Sequence, residues 1–158
     1  MKILFDSNTK KRIFWFNFDK MILKLLDMVP KEHLIGIEKI VIVDEIKLKK
    51  GRKAAGAYKR KNGRDSAMVE LSVKSIYKGM PRILFLLPFV AKFSLADVLF
   101  HEIGHHYHHK FKHGIGNSRA EKFAEDYRRS MLKKAFWGWA IILRPISPVI
   151  KYLANIIK

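Results

Sequence analysis

Apolar residues recur along much of the chain every three or four positions, which is the spacing of one face of an α-helix. This pattern predicts an amphipathic helix over residues 10–29, ended by Pro30. It also predicts a second helix after Phe93, with Ser94 as its N-cap, and a third that opens at Ser118. The chain thus has at least three helices, separated by glycine and proline residues.

Shorter segments have the composition of β-strands. Residues 40–43 are an apolar, β-branched run that is typical of a buried strand. Residues 55–60 and 65–73 flank Asn62-Gly63, a pair that favours the tight turn of a β-hairpin. Three strands together with the helices predict an α+β fold with a small three-stranded sheet.

Two apolar runs, residues 83–91 and 135–143, are much shorter than the roughly 20 residues that a membrane-spanning helix needs. The second belongs to residues 131–158, where tryptophans stand beside lysines and arginine as in a helix that lies in the membrane interface. Packing on the rest of the protein, or on a second copy of it, is the other interpretation. We therefore divide the chain into a domain at 1–130, which includes the N-terminal helix, and a C-terminal amphipathic segment at 131–158.

Composition narrows the class of protein. With 158 residues the chain can form one hydrophobic core, and the absence of cysteine excludes disulfides and thiolate metal sites. The 32 Lys and Arg residues against 14 Asp and Glu residues give a net charge of +18, typical of proteins that meet an anionic surface. No nucleic-acid-binding motif and no secretory signal are recognisable. We therefore expect a cytoplasmic protein, with peripheral association at the inner face of the membrane as a further expectation.

The candidate chemistry lies in His101-Glu102-Ile103-Gly104-His105. Residues four apart project within about 40° of each other on a helix, so His101 and His105 are placed to bind one metal ion. Glu102 points about 100° away, where it can reach a water molecule without occupying a ligand position. A histidine-rich helix end that binds metal only adventitiously is the alternative, because four more histidines follow: His106, His108, His109 and His113.

A catalytic zinc site needs a third protein ligand and an open position for water. With no cysteine in the chain, the acidic residues of the third helix are the candidates. Glu121 stands three residues after Ser118 and could equally be a capping-box residue, whereas Glu125 could pair with neighbouring arginines. A short glycine-containing turn before Ser118 would bring either glutamate onto the histidine face of the second helix.

This pattern resembles the gluzincin class of zinc metallopeptidases, in which His-Glu-x-x-His on one helix is followed by a glutamate on another. Glu121-Lys122-Phe123-Ala124 is similar to the Glu-Gly-Phe-Ala box of gluzincin aminopeptidases. The relation of Glu121 to Glu125 resembles that of the ligand glutamate and a supporting aspartate in thermolysin-like and CAAX-processing membrane proteases. The chain is most similar to minigluzincins, the minimal soluble versions of those catalytic domains, over roughly residues 34–130.

The resemblance implies a zincin-like fold and a zinc-dependent endopeptidase that hydrolyses peptide bonds in a peptide or protein substrate. His101, His105 and Glu121 would hold one Zn²⁺ ion, and Glu102 would act as the general base toward water. Glu125 is either the ligand in place of Glu121 or the carboxylate that orients a ligating imidazole. A terminal segment that occupies the cleft would make such an enzyme latent.

Two further roles stay open on the sequence. The donor that stabilises the developing negative charge is expected among three side chains: Tyr107, Tyr127 and His113. In zincins an edge strand that pairs with extended substrate precedes the motif helix, and residues 67–73 are the candidate. A plain edge strand protected by lysines is the alternative. The central residues of this strand are Met68, Val69, Glu70 and Leu71.

A different function is also consistent with the composition. A basic zincin-fold module could bind anionic membrane or nucleic acid and keep a structural or vestigial metal site. A structural site has no need of Glu102, whereas hydrolysis does, so this carboxylate distinguishes the two functions. A homo-oligomer formed through the C-terminal segment is a further expectation.

Overall fold

The computed structural model describes residues 1–6, 17–48, 51–60, 62, 66–80, 88–111 and 117–143. Within these ranges the chain is a mixed α+β protein with five helices and a small sheet. The helices are α1 (Phe18–Leu26), α2 (Lys31–Leu34), α3 (Val73–Ile76), α4 (Pro88–Phe111) and α5 (Asn117–Leu143). The strands are β1 (Lys2–Phe5), β2 (Ile37–Val43), β3 (Ile46–Lys47), β4 (Lys53–Ala54), β5 (Gly56–Lys59) and β6 (Ala67–Ser72).

The main sheet has four strands in the order β1-β2-β6-β5, and β3 pairs separately with β4. Strands β1, β2 and β6 run parallel, whereas β5 is antiparallel to β6, with Tyr58 opposite Val69. The predicted hairpin is therefore confirmed as a strand pair, although residues 61 and 63–65 of its turn lie outside the described ranges. The sheet has one more strand than predicted because Lys2–Phe5 pairs with β2. Only Ile3 of Lys2–Phe5 is β-branched, so the composition of this segment does not predict a strand.

Strand β6 is an interior strand, and this corrects the predicted edge formed by Met68, Val69, Glu70 and Leu71. Each of these residues pairs with β2 on one side and with β5 on the other. The outer strand on this side of the described sheet is β5. The prediction was wrong because the position of a strand in a sheet depends on partners that are distant in the sequence.

The hydrophobic core lies between the sheet and helices α1 and α4. The fully buried side chains of this layer are Ile40, Ile42, Val69 and Leu71 from the strands, Ile22 and Leu25 from α1, and Leu95, Leu99, Phe100 and Ile103 from α4. Each buried side chain of this size contributes about 1.5–3 kcal/mol, so the layer holds α4 firmly on the sheet. Helix α1 is shorter than predicted and begins after Asn17, whose side chain accepts a hydrogen bond from the Lys20 N–H at 3.0 Å. Residues 10–16 of the predicted helix lie outside the described ranges.

Helix α4 begins at Pro88, so the predicted N-cap Ser94 lies inside the helix and that prediction was wrong. Proline is well tolerated in the first turn of a helix, where its missing N–H would have no partner. Helix α5 begins at Asn117, one residue before the predicted start. Among the helices of the described ranges, none combines the length and the apolar content needed to cross a membrane.

Helix α5 runs without a break through the division that we placed between residues 130 and 131. Met131 and Phe136 of the predicted C-terminal segment are buried in the hydrophobic core. The backbone of Phe136 departs from helical angles, with φ −120° and ψ 16°, and kinks the helix there. The first part of the C-terminal segment is therefore part of the same core.

Candidate metal centre

Two histidines and one glutamate meet between α4 and α5. The Nε2 atoms of His101 and His105 lie 3.1 Å apart. Oε2 of Glu121 lies 3.6 Å from Nε2 of His101, and its Oε1 lies 3.5 Å from Nε2 of His105. The structure therefore brings together the three side chains that the sequence singles out as ligands.

These separations suit one small cation. Two ligand atoms held about 2.0–2.1 Å from a tetrahedral Zn²⁺ ion lie roughly 3.3 Å apart, and the three distances fall on both sides of that value. Burial lowers the pKa of His105, which favours the neutral ring whose nitrogen can coordinate a metal. The side chain of Glu121 is 67% exposed, so solvent reaches the centre from this side. The group could hold a metal ion and still admit water.

Helix α5 approaches α4 closely because Gly104 faces it. A β-carbon at Gly104 would lie 2.9 Å from Cα of Ala124 and 3.2 Å from Cβ of Tyr127. Glycine inside a helix costs about 1 kcal/mol relative to alanine, so a glycine between His101 and His105 indicates a tight packing contact. The sequence contains this signal, but it does not say which residue packs there.

Glu102 faces the cleft beside this centre and is only 7% exposed. Burial raises the pKa of Glu102 to about 7, although a hydrogen bond from the backbone N–H of Tyr58 acts in the opposite direction. A carboxyl group with a pKa near 7 is suited to proton transfer at neutral pH. Gly56 lets β5 lie against it, because a β-carbon there would be 2.7 Å from Oε1 of Glu102 and 2.6 Å from Cγ1 of Val98.

His106 holds β5 and the segment before β2 against α4. The ring is buried. Its Nε2 atom lies 3.1 Å from the carbonyl oxygen of Ile35, and its Nδ1 atom lies 3.2 Å from the hydroxyl oxygen of Tyr58. Because a carbonyl oxygen only accepts, Nε2 donates and Nδ1 accepts from the tyrosine hydroxyl. Gly36, with φ 103°, packs against the same ring in a conformation that favours glycine. This histidine therefore has a structural role and positions Tyr58 beside Glu102.

Arg128 connects the two helices beside the candidate metal centre. It donates to Asp97 on α4 and, at 2.6 Å, to Glu125 on α5. Glu125 also accepts from Nε of Arg129 at 2.8 Å. The hydrogen bond from Arg128 is the main reason why the pKa of Glu125 is lowered. Glu125 thus belongs to an ion-pair cluster, whereas Glu121 is the glutamate beside the histidines.

The two tyrosines expected as charge-stabilising donors pack around His33. The hydroxyl of Tyr127 lies 3.0 Å from Nδ1 of His33, and the ring centroid of Tyr107 lies 4.1 Å from that of His33. Tyr107 follows His105 by two residues and therefore projects from nearly the opposite side of α4. The third candidate, His113, lies outside the described ranges. The role of an oxyanion donor stays a prediction for all three.

A cleft of about 320 Å³ adjoins the candidate metal centre between β5, α4 and α5. Its lining residues are Ala55, Gly56, Asp97, Val98, His101, Glu102, Glu125 and Arg128. Sequence reasoning missed the contributions of β5 and of Asp97 and Arg128. Single glycines and charged residues are common at the surface, and these are part of a site only because β5 packs on α4.

Comparison of the chain with family models, with curated proteins and with solved structures found no match.

Proposed function

We propose that this protein is a zinc-dependent peptidase with a zincin-like fold, related to the gluzincins. One observation carries the proposal. The ligand atoms of His101, His105 and Glu121 lie 3.1 to 3.6 Å apart, and the buried carboxyl group of Glu102 lines the cleft beside them. Burying a carboxyl group is unfavourable, and an adventitious cluster of histidines gives no reason to bury one there.

The residues divide the chemistry between them. His101, His105 and Glu121 would hold the ion, and bound Zn²⁺ supplies Lewis acidity and lowers the pKa of water. Glu102 would take a proton from the attacking water and return it to the leaving amine nitrogen. The backbone N–H of Tyr58, which hydrogen-bonds to Glu102, orients that carboxylate for both transfers.

The substrate in this proposal is an extended peptide segment. Gly56, the first residue of β5, and Ala55, which precedes it, line the cleft, and β5 is the outer strand of the described sheet on this side. Backbone groups on the outer edge of a strand can pair with a peptide. We therefore assign substrate pairing to β5 in place of β6. A chain without cysteine suits a reducing compartment, and we place the activity in the cytoplasm.

The test measures metal content and hydrolysis on the full chain. We expect about one equivalent of zinc by elemental analysis, and turnover of an unfolded protein such as casein. Glu102→Gln should keep the zinc and lose hydrolysis by roughly 10²- to 10⁴-fold, because the amide preserves shape and removes basicity. Glu38→Gln, the same change at an exposed position of β2, should keep both properties.

The opposite results identify the other functions. Undiminished hydrolysis by Glu102→Gln would exclude the mechanism drawn above. Zinc bound by a wild-type protein that never hydrolyses peptides would favour the basic binding module with a structural metal. A full equivalent of zinc in the doubly substituted His101→Ala, His105→Ala protein would show that other histidines of the chain bind it.

A further inference from the structure

Three phenylalanines join the first turns of α4 to the end of α5. The ring centroid of Phe136 lies 5.7 Å from that of Phe89 and 5.3 Å from that of Phe93, both in edge-to-face contact. Phe89 belongs to the apolar run at residues 83–91 and Phe136 to the run at 135–143, so these two residues join segments that are separate in the sequence.

The surface beside this contact combines exposed aromatic rings with lysines. Trp137 is 58% exposed and Phe93 is 40% exposed. Nζ of Lys133 lies 5.9 Å from the ring centroid of Trp137, and Nζ of Lys92 lies 5.8 Å from that of Phe136. We define the aromatic–lysine surface as Lys92, Phe93, Lys133, Lys134 and Trp137.

The aromatic–lysine surface also contains a shallow hollow of about 410 Å³. Its lining residues are Ser130, Lys133, Lys134 and Trp137. One hydroxyl and two ammonium groups are the kinds of donor that bind a phosphate group. The indole ring beside them offers an apolar face at the same place.

The stretches of sequence that supply the residues of this surface carry no acidic side chain. Residues 71–96 and 127–158 are the two longest stretches of the chain without an aspartate or glutamate. The aromatic–lysine surface is formed by residues from both. The basic residues of these stretches are Lys74, Lys78, Arg82, Lys92, Arg128, Arg129, Lys133, Lys134, Arg144, Lys151 and Lys158.

We propose that the aromatic–lysine surface docks the protein on an anionic lipid bilayer. Tryptophan and phenylalanine rings insert at the level of the headgroups, while lysines beside them meet lipid phosphates. Acid-free stretches strengthen the attraction because no carboxylate on them repels the anionic membrane. This docking does not depend on the peptidase function proposed above.

Two other partners fit the surface less well. A two-fold dimer through this surface would bring its lysines against the lysine-bearing surface of a second copy, and like charges repel. A protein surface that binds single-stranded nucleic acid needs a row of aromatic side chains on which successive bases stack. Here Trp137 belongs to one short apolar run of the sequence and Phe93 follows the other. A bilayer accommodates such apolar side chains, and a hydrated phosphate backbone does not.

Docking would place the metal centre near the membrane. Phe93 precedes His101 by eight residues on one helix, which corresponds to roughly 12 Å along its axis. Peptide segments at or near the lipid surface would then be within reach of the cleft. The lipid surface would act by concentrating the protein there, without changing the centre itself.

The experiment is co-sedimentation of the full chain with phosphatidylcholine vesicles, with and without phosphatidylserine. We expect binding to the anionic vesicles that weakens with salt, because surface attraction is screened beyond a Debye length of about 10 Å at 0.1 M ionic strength. Trp137→Ala should reduce the partition coefficient about tenfold. The doubly substituted Lys133→Gln, Lys134→Gln protein should bind the anionic vesicles more weakly and with a smaller salt dependence than the wild type.

Matched controls are available at exposed positions that are not part of the aromatic–lysine surface. Phe111, at the end of α4, is 53% exposed and has Nζ of Lys110 5.1 Å from its ring centroid, so Phe111→Ala removes a similar aromatic–lysine pair. Lys20→Gln with Lys24→Gln removes two exposed charges from α1. Both control proteins should bind anionic vesicles as the wild type does, and circular dichroism should show that every variant is folded.

Several results would overturn the proposal. These are equal binding by Trp137→Ala and wild type, an equal loss with Phe111→Ala, and equal binding to neutral and anionic vesicles. Absence of sedimentation together with a Trp137-dependent dimer on a sizing column would assign the surface to a second copy. Trp137-dependent binding to an oligonucleotide without vesicle binding would assign it to nucleic acid. Zinc content and casein hydrolysis measured without vesicles test the other proposal separately.

Discussion

Gly104 lies directly against the backbone of Ala124, so that a β-carbon at Gly104 would be 2.9 Å from Cα and 3.1 Å from the carbonyl oxygen of Ala124. Side-chain atoms do not approach a backbone that closely. Ala124 lies about one turn of α5 after Glu121, and Gly104 directly precedes His105 on α4. It therefore sets how near the glutamate comes to the two histidines.

Gly104→Ala should push the two helices apart. We expect a loss of about 1–3 kcal/mol of folding free energy from overpacking, reduced by the better helix propensity of alanine. Zinc affinity, measured by competition with a chelator, should fall because Glu121 moves away from His101 and His105. Gly138→Ala is the control, since a β-carbon at Gly138 meets no atom of the described chain within 4 Å. Unchanged zinc affinity in Gly104→Ala would mean that the helix spacing does not set the metal centre.

The two glutamates of α5 should differ in their effect on zinc. Glu121→Gln should weaken zinc binding by more than the roughly 100-fold upper range for residues that only support a ligand. Glu125→Gln should weaken it at most about tenfold, because this carboxylate pairs with Arg128 and Arg129. A chelator titration measures both. The reverse order would give the ligand role to Glu125.

Arg128 should matter more than its neighbour Arg129, although both contact Glu125. Arg128 also bridges to Asp97 on α4, whereas the side chain of Arg129 is 69% exposed and forms its ion pair with Glu125 of its own helix. Arg128→Met should lower the free energy of unfolding by about 1 kcal/mol, and Arg129→Met by at most about 0.5 kcal/mol. Urea unfolding of the two variants gives the comparison. Equal losses would show that the bridge between the helices adds nothing to stability.

The free energy of unfolding should fall at acidic pH because His33 becomes protonated. Burial lowers the pKa of His33, so between the folded and unfolded pKa values the unfolded chain binds more protons than the folded one. Folding free energy is therefore lost as the pH drops below about 6.5. In urea unfolding at about pH 7.5 and about pH 5.5, His33→Gln should lose less stability than the wild type.

A substitution at Glu32 should change the pH dependence of stability in the opposite direction, because the charge of Glu32 raises the pKa of His33. Glu32→Gln should therefore increase the loss of stability between the two pH values. The same pH dependence in wild type, His33→Gln and Glu32→Gln would assign acid sensitivity to other groups.

Features that depend on neighbours in the sequence could be predicted. The placement of His101 and His105 on one helix face follows from the helical repeat alone, and the pairing of β5 with β6 follows from Asn62-Gly63 between two strand-like runs. A glutamate on the next helix was also expected, although the choice between Glu121 and Glu125 was open. Zinc binding and peptide hydrolysis stay predictions.

Features that depend on distant residues could not be predicted. The short strand β1, the interior position of β6 and the start of α4 at Pro88 all differ from expectation. The contacts of Gly104 with Ala124, of Asp97 with Arg128 and of Phe93 with Phe136 had no counterpart in the sequence patterns.

The difference has a physical cause. A repeat of 3.6 or 2 residues determines which side chains share one face of a helix or strand, because backbone geometry alone sets it. Which two faces then meet is decided by many weak contacts summed over a close-packed core, to which every element of the chain contributes. The pairing of His101 with His105 is therefore encoded locally, whereas the position of Glu121 beside them, the cleft and the aromatic–lysine surface exist only because α4, α5 and β5 pack together.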